Sequence, residues 1–316
     1  MMMLITFLAQ RGLGLLEVIL HIGAHRTGTT SFQRALQQNQ HNLNKNGVTI
    51  WGPRVTRGGR FSGLLRGGDE ELAETTRLVQ RNKGIISIEV ERLERAGMHS
   101  LLVSEENILG SMRTNLRSSR LYPSLSERLE RFALVFGPIC TQIGLCIRPY
   151  GDFWSSSMAY AIKVGHPVLD EAGLDRLVTQ PRGWRRVIND VAAAFPKAEV
   201  NVWEFQRLAG KPQAQYRLLV GRRGHLRGSQ DCHNASPGRK ALRDILMLRG
   251  DAAGHRAIEP GDGPYMPFGE HHIEAFDAQY AEDLTWLRSR PKTEFKFIEK
   301  LGPELAVHRI AGRARR

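Results

Sequence analysis

The stretch Val18 to Gln33, VILHIGAHRTGTTSFQ, constrains this chain more than any other part of it. Val18 to Ile22 reads as a buried strand, Gly23 to Gly28 as a loop rich in glycine and threonine, and Phe32, Ala35 and Leu36 as the apolar side of a following helix. A strand that empties through a glycine loop into a helix N-terminus builds an anion site. The free N–H groups of the first turn and the positive end of the macrodipole both face out of the loop. Phosphate is the expected guest. The competing reading is a strand, a turn and a cap without ligand, in which the threonines satisfy backbone N–H groups.

The spacing can be compared with the P-loop, G-x-x-x-x-G-K-[ST], whose lysine reaches the β/γ-phosphates and whose hydroxyl holds magnesium. Gly23 and Gly28 stand at the right interval and Thr30 at the hydroxyl position, but Thr29 stands where the lysine belongs. The nearest basic side chain, Arg26, lies inside the loop. Nucleotide triphosphate chemistry would thereby lose its usual charge clamp.

The run HIGAHRTGTTSFQ resembles instead the 5′-phosphosulfate loop of sulfotransferases that use PAPS (3′-phosphoadenosine 5′-phosphosulfate), in which a basic residue precedes Ser/Thr-Gly-Thr-Thr. The resemblance implies that Arg26 takes the position usually held by lysine. It further implies that Thr27, Gly28, Thr29 and Thr30, with Ser31 beside them, cradle the 5′-phosphate. Arginine keeps the charge but offers a planar fork in place of a compact ammonium. The same family holds the 3′-phosphate with an arginine at a strand end and a serine eight residues on, in the next helix. Arg148 and Ser156 have that interval, Arg148 closing the apolar run Thr141 to Ile147 and Ser156 following in a helix that Asp152 can cap. A glycine-rich basic segment, RKGxxGDWK, that wraps the nucleotide in many members is not found here.

An attacking hydroxyl must lose a proton, so a nearby base is expected. Leu101 to Ser104 reads as a strand ending in Glu105, Glu106 and Asn107, and carboxylates at the carboxyl end of a parallel strand face the edge where open α/β sheets bind ligands. Glu106, Glu105 and His99 are candidates by position, Glu106 foremost. The alternative is that the carboxylates cap the next turn or pair with arginines.

Strands alternate with helical segments throughout, which predicts an α/β fold with a mainly parallel central sheet covered on both sides. The family resemblance implies the P-loop type of three-layer sandwich, as a single domain over 1–316. Val48 to Trp51, Thr141 to Ile147 and Val200 to Phe205 are further strands, the last at an edge. Segment 52–68 reads as a long polar loop with several arginines, 69–97 as two helical pieces broken at Gly84, and 251–270 as a loop. Ser236 and Pro237 are expected to start a helix. GRRGHLRG (221–228) is a basic glycine loop or solvated turn. His271 and His272 are adjacent in a helix and are expected to diverge, so no metal is called for.

The formal charge of +13 and pI near 10.1 favour polyanionic partners. Three cysteines without paired spacing (Cys140, Cys146, Cys232) argue for a reducing, cytoplasmic setting and against a structural metal. The apolar start, 1–16, is interrupted at Gln10 and Arg11 before it could span a membrane and reads as a ragged segment, while 312–316 is a basic tail. Asn234-Ala235-Ser236 is a formal glycosylation sequon.

The expected function is sulfuryl transfer from PAPS to a hydroxyl or amine of an acceptor such as a glycan or small molecule, leaving PAP (3′,5′-adenosine bisphosphate). Arg26 would stabilise the departing oxygen and Glu106 take the proton. Two alternatives stay open: a P-loop kinase or NTPase, and an inactive relative that binds nucleotide or polyanion. Arginines without interleaved aromatics argue against sequence-specific nucleic-acid binding.

Overall fold

A computed structural model describes residues 16–65, 72–221, 224–227, 235–291 and 295–300. The readings placed on 1–15, 66–68, Cys232, Asn234 and 312–316 lie outside these residues. So does part of 221–228.

Along β1 (Glu17–His21) the side chains alternate between two apolar surroundings rather than between core and water. Val18 and Leu20 belong to one buried cluster and Ile19 to another. A strand apolar on both faces must lie in the middle of a sheet covered on both sides. The same division runs through β3 (Ser100–Ser104), where Leu101 and Val103 oppose Leu102. In β4 (Cys140–Ile147), Ile143, Leu145 and Ile147 oppose Cys146.

With β2 (Val48–Trp51), β5 (Glu199–Glu204) and the short β6 (Lys296–Phe297), these strands form a six-stranded sheet in the order β2-β3-β1-β4-β5-β6, every pair parallel. One face is covered by α1 (Thr29–Gln38) through Phe32, Ala35 and Leu36, together with a second helix, Pro212–Val220, through Ala214, Tyr216 and Leu219. On the other face lie α2 (Leu72–Arg95), α3 (Leu125–Phe136), α4 (Tyr150–Lys163), α5 (Glu171–Val178) and α6 (Trp184–Ala194). In chain order the Pro212–Val220 helix is α7, and α8 (Arg239–Leu248) and α9 (Glu270–Ser289) pack on the second face. The three-layer α/β arrangement expected from the alternation is the one observed. No described helix is long and apolar enough to cross a membrane.

From β1 the chain crosses to β2 and β3 on one side, then passes back over β1 to β4 on the other. Such a reversal opens a crevice beyond the carboxyl ends of the central strands, the place where doubly wound sheets take ligands. Register supplies the detail: His21 lies opposite Ser104 on β3 and Gly144 on β4, so Gly23, Glu106 and Cys146 arrive together just past the strand ends.

Several local expectations are corrected. Helix α2 runs unbroken through Gly84, because burial of Ile86 and Val90 outweighs the ~1 kcal/mol a mid-helix glycine costs. The described part of 52–68 is two tight helical turns, Pro53–Val55 and Thr56–Arg60, followed by buried Phe61 and Leu64, not a polar loop. A short helix, Ala252–Ala257, capped by the Asp251 carboxylate, interrupts 251–270. Asp152 sits within the first turn of α4 rather than capping it, since the helix already starts at Tyr150 after Pro149. Helix α8 starts at Arg239 with Gly238 before it, which releases Ser236 for another contact. β5 is not the outermost strand, since β6 pairs beyond it.

Candidate functional site

The turn after β1 is fastened from within. Thr27 and Thr29 both donate their hydroxyls to the carbonyl of Ala24, at 2.7 and 3.1 Å. These two side chains are used inside the turn, on a carbonyl rather than on the backbone N–H groups that capping threonines would satisfy, and Thr27 is buried away from the cavity. Gly23 and Gly28 adopt φ of +102° and +80°, values natural to glycine. Arg26 takes the left-handed conformation too, at φ +59°. Tyr122 braces the turn from below: its hydroxyl accepts from the backbone N–H of His25 at 3.1 Å and lies 3.0 Å from His25 Nδ1.

Helix α1 begins with no acidic residue in its first turn and no side-chain cap. Its first bond runs from Phe32 N–H to Gly28 O, so the N–H groups ahead of it lie at the open helix end. There Gly28, Thr29, Thr30 and Ser31 line a cavity of about 370 Å³. The opposite wall carries Arg148, Ser156, Phe205 and Lys211.

The pairing of β1 with β4 continues past the strand ends, with Ala24 N–H donating to Cys146 O and Cys146 N–H to Gly23 O. Two residues on, Arg148 Nη1 donates to the carbonyl of Arg26 at 2.8 Å. The Trp184 indole holds the Arg148 carbonyl at 2.8 Å, and the guanidinium lies 4.7 Å from the Phe205 ring centroid. Arg148 Nε is buried and has no hydrogen-bond acceptor among the described residues; Asp152 is 3.8 Å away. Arg26 Nε donates to Ser156 Oγ at 2.9 Å and Nη2 to Ser236 Oγ at 2.8 Å, and the two serine hydroxyls lie 2.6 Å apart.

Two guanidinium groups thus share one partly buried space. Burial lowers both pKa values, and the charge of Arg148 lowers that of Arg26 further. Two like charges held in one cavity would suit an anion there.

Glu105 and Glu106 separate cleanly. Glu105 is fully buried, caps the turn that follows through Asn107 N–H at 3.1 Å, and takes Arg57 Nη2 at 2.6 Å and the Thr56 hydroxyl. It is a structural carboxylate. Glu106 lines the cavity, where its Oε1 accepts from Arg57 at 2.9 Å and its Oε2 from Gln33 at 2.8 Å. Burial opposes its charge, but His25, Arg57 and the hydrogen bonds from its own backbone and Gln33 together hold its pKa below the usual range. His25 is itself kept neutral by burial, so Arg57 is the effective cation at neutral pH. His99 precedes β3 and stands at the amino end of the sheet, packed on Gly47, which removes it as a candidate base.

The sequence reading therefore brings Arg26, Gly28, Thr29, Thr30, Ser31, Glu106, Arg148 and Ser156 to one cavity. It missed Ser236, Phe205, Lys211 and His25, all of which line it as well. His25 carried a local signal, its place inside the loop; Ser236 carried none.

Elsewhere, His271 and His272 do not diverge: their rings lie 3.9 Å apart. With Glu171 and Asp175 they offer four ligand atoms within 4.8 Å of one another, the set on the described surface that could hold a metal ion. Buried His272 already bonds Asp175 at 2.8 Å, which ties α9 to α5.

No family model, no curated protein and no solved structure matches the chain.

Proposed function

We propose that the chain is a sulfotransferase that moves a sulfuryl group from PAPS to an acceptor hydroxyl or amine. The observation that supports this most is the convergence of two motifs more than a hundred residues apart: Arg148 grips the Arg26 carbonyl while Ser156 accepts from the Arg26 side chain. A nucleotide with phosphate groups at both its 3′ and 5′ ends needs two anion sites flanking one nucleoside. The helix end at Thr29 to Ser31 suits the 5′-phosphosulfate, Arg148 with Ser156 suits the 3′-phosphate, and the face of Phe205 suits the base.

In this reading the acceptor oxygen attacks sulfur, the bond from sulfur to the 5′-phosphate oxygen breaks, and PAP departs. Charge grows on that bridging oxygen, where the α1 N-terminus and the guanidinium of Arg26 stabilise it once phosphate draws Arg26 from the serines. Glu106, ionised at neutral pH, takes the acceptor proton. Thr29 at the lysine position argues against triphosphate chemistry.

Isothermal titration of PAP, and separately of ATP with magnesium, tests the proposal. PAP is expected to bind and ATP to bind far more weakly; tight ATP binding without PAP binding would overturn it.

A further inference from the structure

A second cavity, of about 460 Å³, opens beside the first. It shares Thr30 with the first, and Gln33, which lines it, is the residue that donates to Glu106 Oε2. Glu106 lines the first cavity and is joined to the second through Gln33. A proton acceptor has to stand between donor and acceptor sites, and this carboxylate is one hydrogen bond from the groove.

The walls say what the groove can hold. Thr30, Gln33, Arg34 and Gln37 follow the i, i+3, i+4, i+7 rule and form one stripe along α1, and Gln40 extends it. Each glutamine amide presents a carbonyl acceptor and two N–H donors, the complement of a hydroxyl that both donates and accepts. Arg34 and Arg54 also line it and carry guanidinium forks suited to a carboxylate or sulfate. Ile50, Pro53 and Val55 give the groove an apolar floor, and no aromatic ring lines it among the described residues. A flat aromatic acceptor would find no ring to stack on among these residues.

We infer that this groove is the acceptor site and that its substrate is an anionic carbohydrate, a sugar chain carrying carboxylate or sulfate groups. The inference rests on the sulfuryl-transfer reading for the role of the groove, and on the groove's own residues for the class of ligand. One sugar hydroxyl enters beside Glu106 while the acidic substituents lie against Arg34 and Arg54. The apolar patch at Ile50 and Val55 underlies a ring face.

The test is direct binding to the full chain, followed by isothermal titration with and without saturating PAP. The probes are a glucuronate-containing tetrasaccharide, a neutral glucose tetrasaccharide and 4-nitrophenol. The acidic tetrasaccharide is expected to bind at least about tenfold more tightly than the neutral one. Gln37→Ala with Arg54→Glu is expected to weaken it by about tenfold or more while PAP binding stays unchanged. Arg256→Glu, an exposed charge in the short helix 252–257, controls for the overall positive field and is expected to have little effect. Binding of PAP without the tetrasaccharide, binding of 4-nitrophenol in its place, or saccharide binding as sensitive to Arg256→Glu as to the groove variant would each overturn the inference. Binding of the tetrasaccharide at the groove without PAP would sink the donor-site reading and leave the groove as a glycan site.

Discussion

Arg148 donates a hydrogen bond to the main-chain carbonyl of Arg26 at 2.8 Å, so one arginine positions the backbone of the other. Register explains the meeting: β1 and β4 remain paired through Cys146, which leaves Arg148 beside the turn that follows β1. Arg148 Nε has no hydrogen-bond acceptor among the described residues, and Arg26 Nε donates to Ser156.

Removing Arg148 takes away a fork and a charge from the proposed nucleotide site. Arg148→Ala is expected to weaken PAP about 30-fold, or ~2 kcal/mol, the size of a lost charge-assisted hydrogen bond. Arg148→Lys should recover only part of this, since it restores charge without bidentate geometry. Calorimetry on the three proteins checks the order; an alanine variant that binds PAP like the parent contradicts it.

Glu105 and Glu106 are neighbours with opposite expected phenotypes. Glu105→Gln breaks a buried carboxylate's contacts to Arg57, Thr56 and the following turn, and should cost about 2 kcal/mol of stability, Arg57 being partly solvated already. Glu106→Gln keeps an amide oxygen for Arg57 and has no capping role to lose, so it should cost less stability than Glu105→Gln while lowering sulfuryl transfer by about 100-fold or more. Urea unfolding and transfer of labelled sulfuryl to a competent acceptor separate the two, and a Glu106→Gln variant with full activity removes Glu106 as the proposed base.

Gly23 stands at φ +102°, and a Cβ placed there would come within 3.0 Å of the Glu106 Cβ. Gly23→Ala should therefore destabilise by about 2 kcal/mol through backbone strain and displace Glu106. Thermal melts of this variant beside Gly58→Ala, where the surroundings are open, give the comparison. Equal melting temperatures would contradict the crowding.

Acid should unfold the chain through His21, which is buried against Ser104 and Trp203. Burial lowers its pKa from 6.5 to about 4, with Glu106 pulling weakly the other way. Between those values the unfolded chain binds a proton that the folded chain refuses, so stability falls as pH falls, by up to about 1.4 kcal/mol per unit and about 3 kcal/mol across the window. Above the upper value this group gives no slope. His25, lowered likewise by burial, adds to the same sign. Urea titrations at several pH values, with His21→Asn as the comparison, measure it; an unchanged slope in that variant assigns the effect elsewhere.

What the sequence revealed is what chemistry writes locally. The strand, loop and helix from Val18 to Gln38 are contiguous, and Glu106 is one residue beyond a strand's carboxyl end. Naming His99 a candidate base is wrong on a position that was legible too, since a residue before a strand stands at its far edge. Other features depend on distant partners. Ser236 looked like a helix cap because serine before proline often is one, and only the packing of α8 against α4 delivers its hydroxyl to Arg26. The segment after β2 looked like a solvated arginine loop, yet Arg57 turns inward because Glu105 and Glu106 wait at the end of β3.

A crystal structure of the chain soaked with PAP tests the central claim most directly. The account predicts a 3′-phosphate within hydrogen-bond distance of Arg148 and Ser156, a 5′-phosphate on the N–H groups of Thr29 to Ser31, and Arg26 drawn off the two serines. A nucleotide seated elsewhere, or Arg26 still holding Ser156 and Ser236 with the helix end empty, would contradict it.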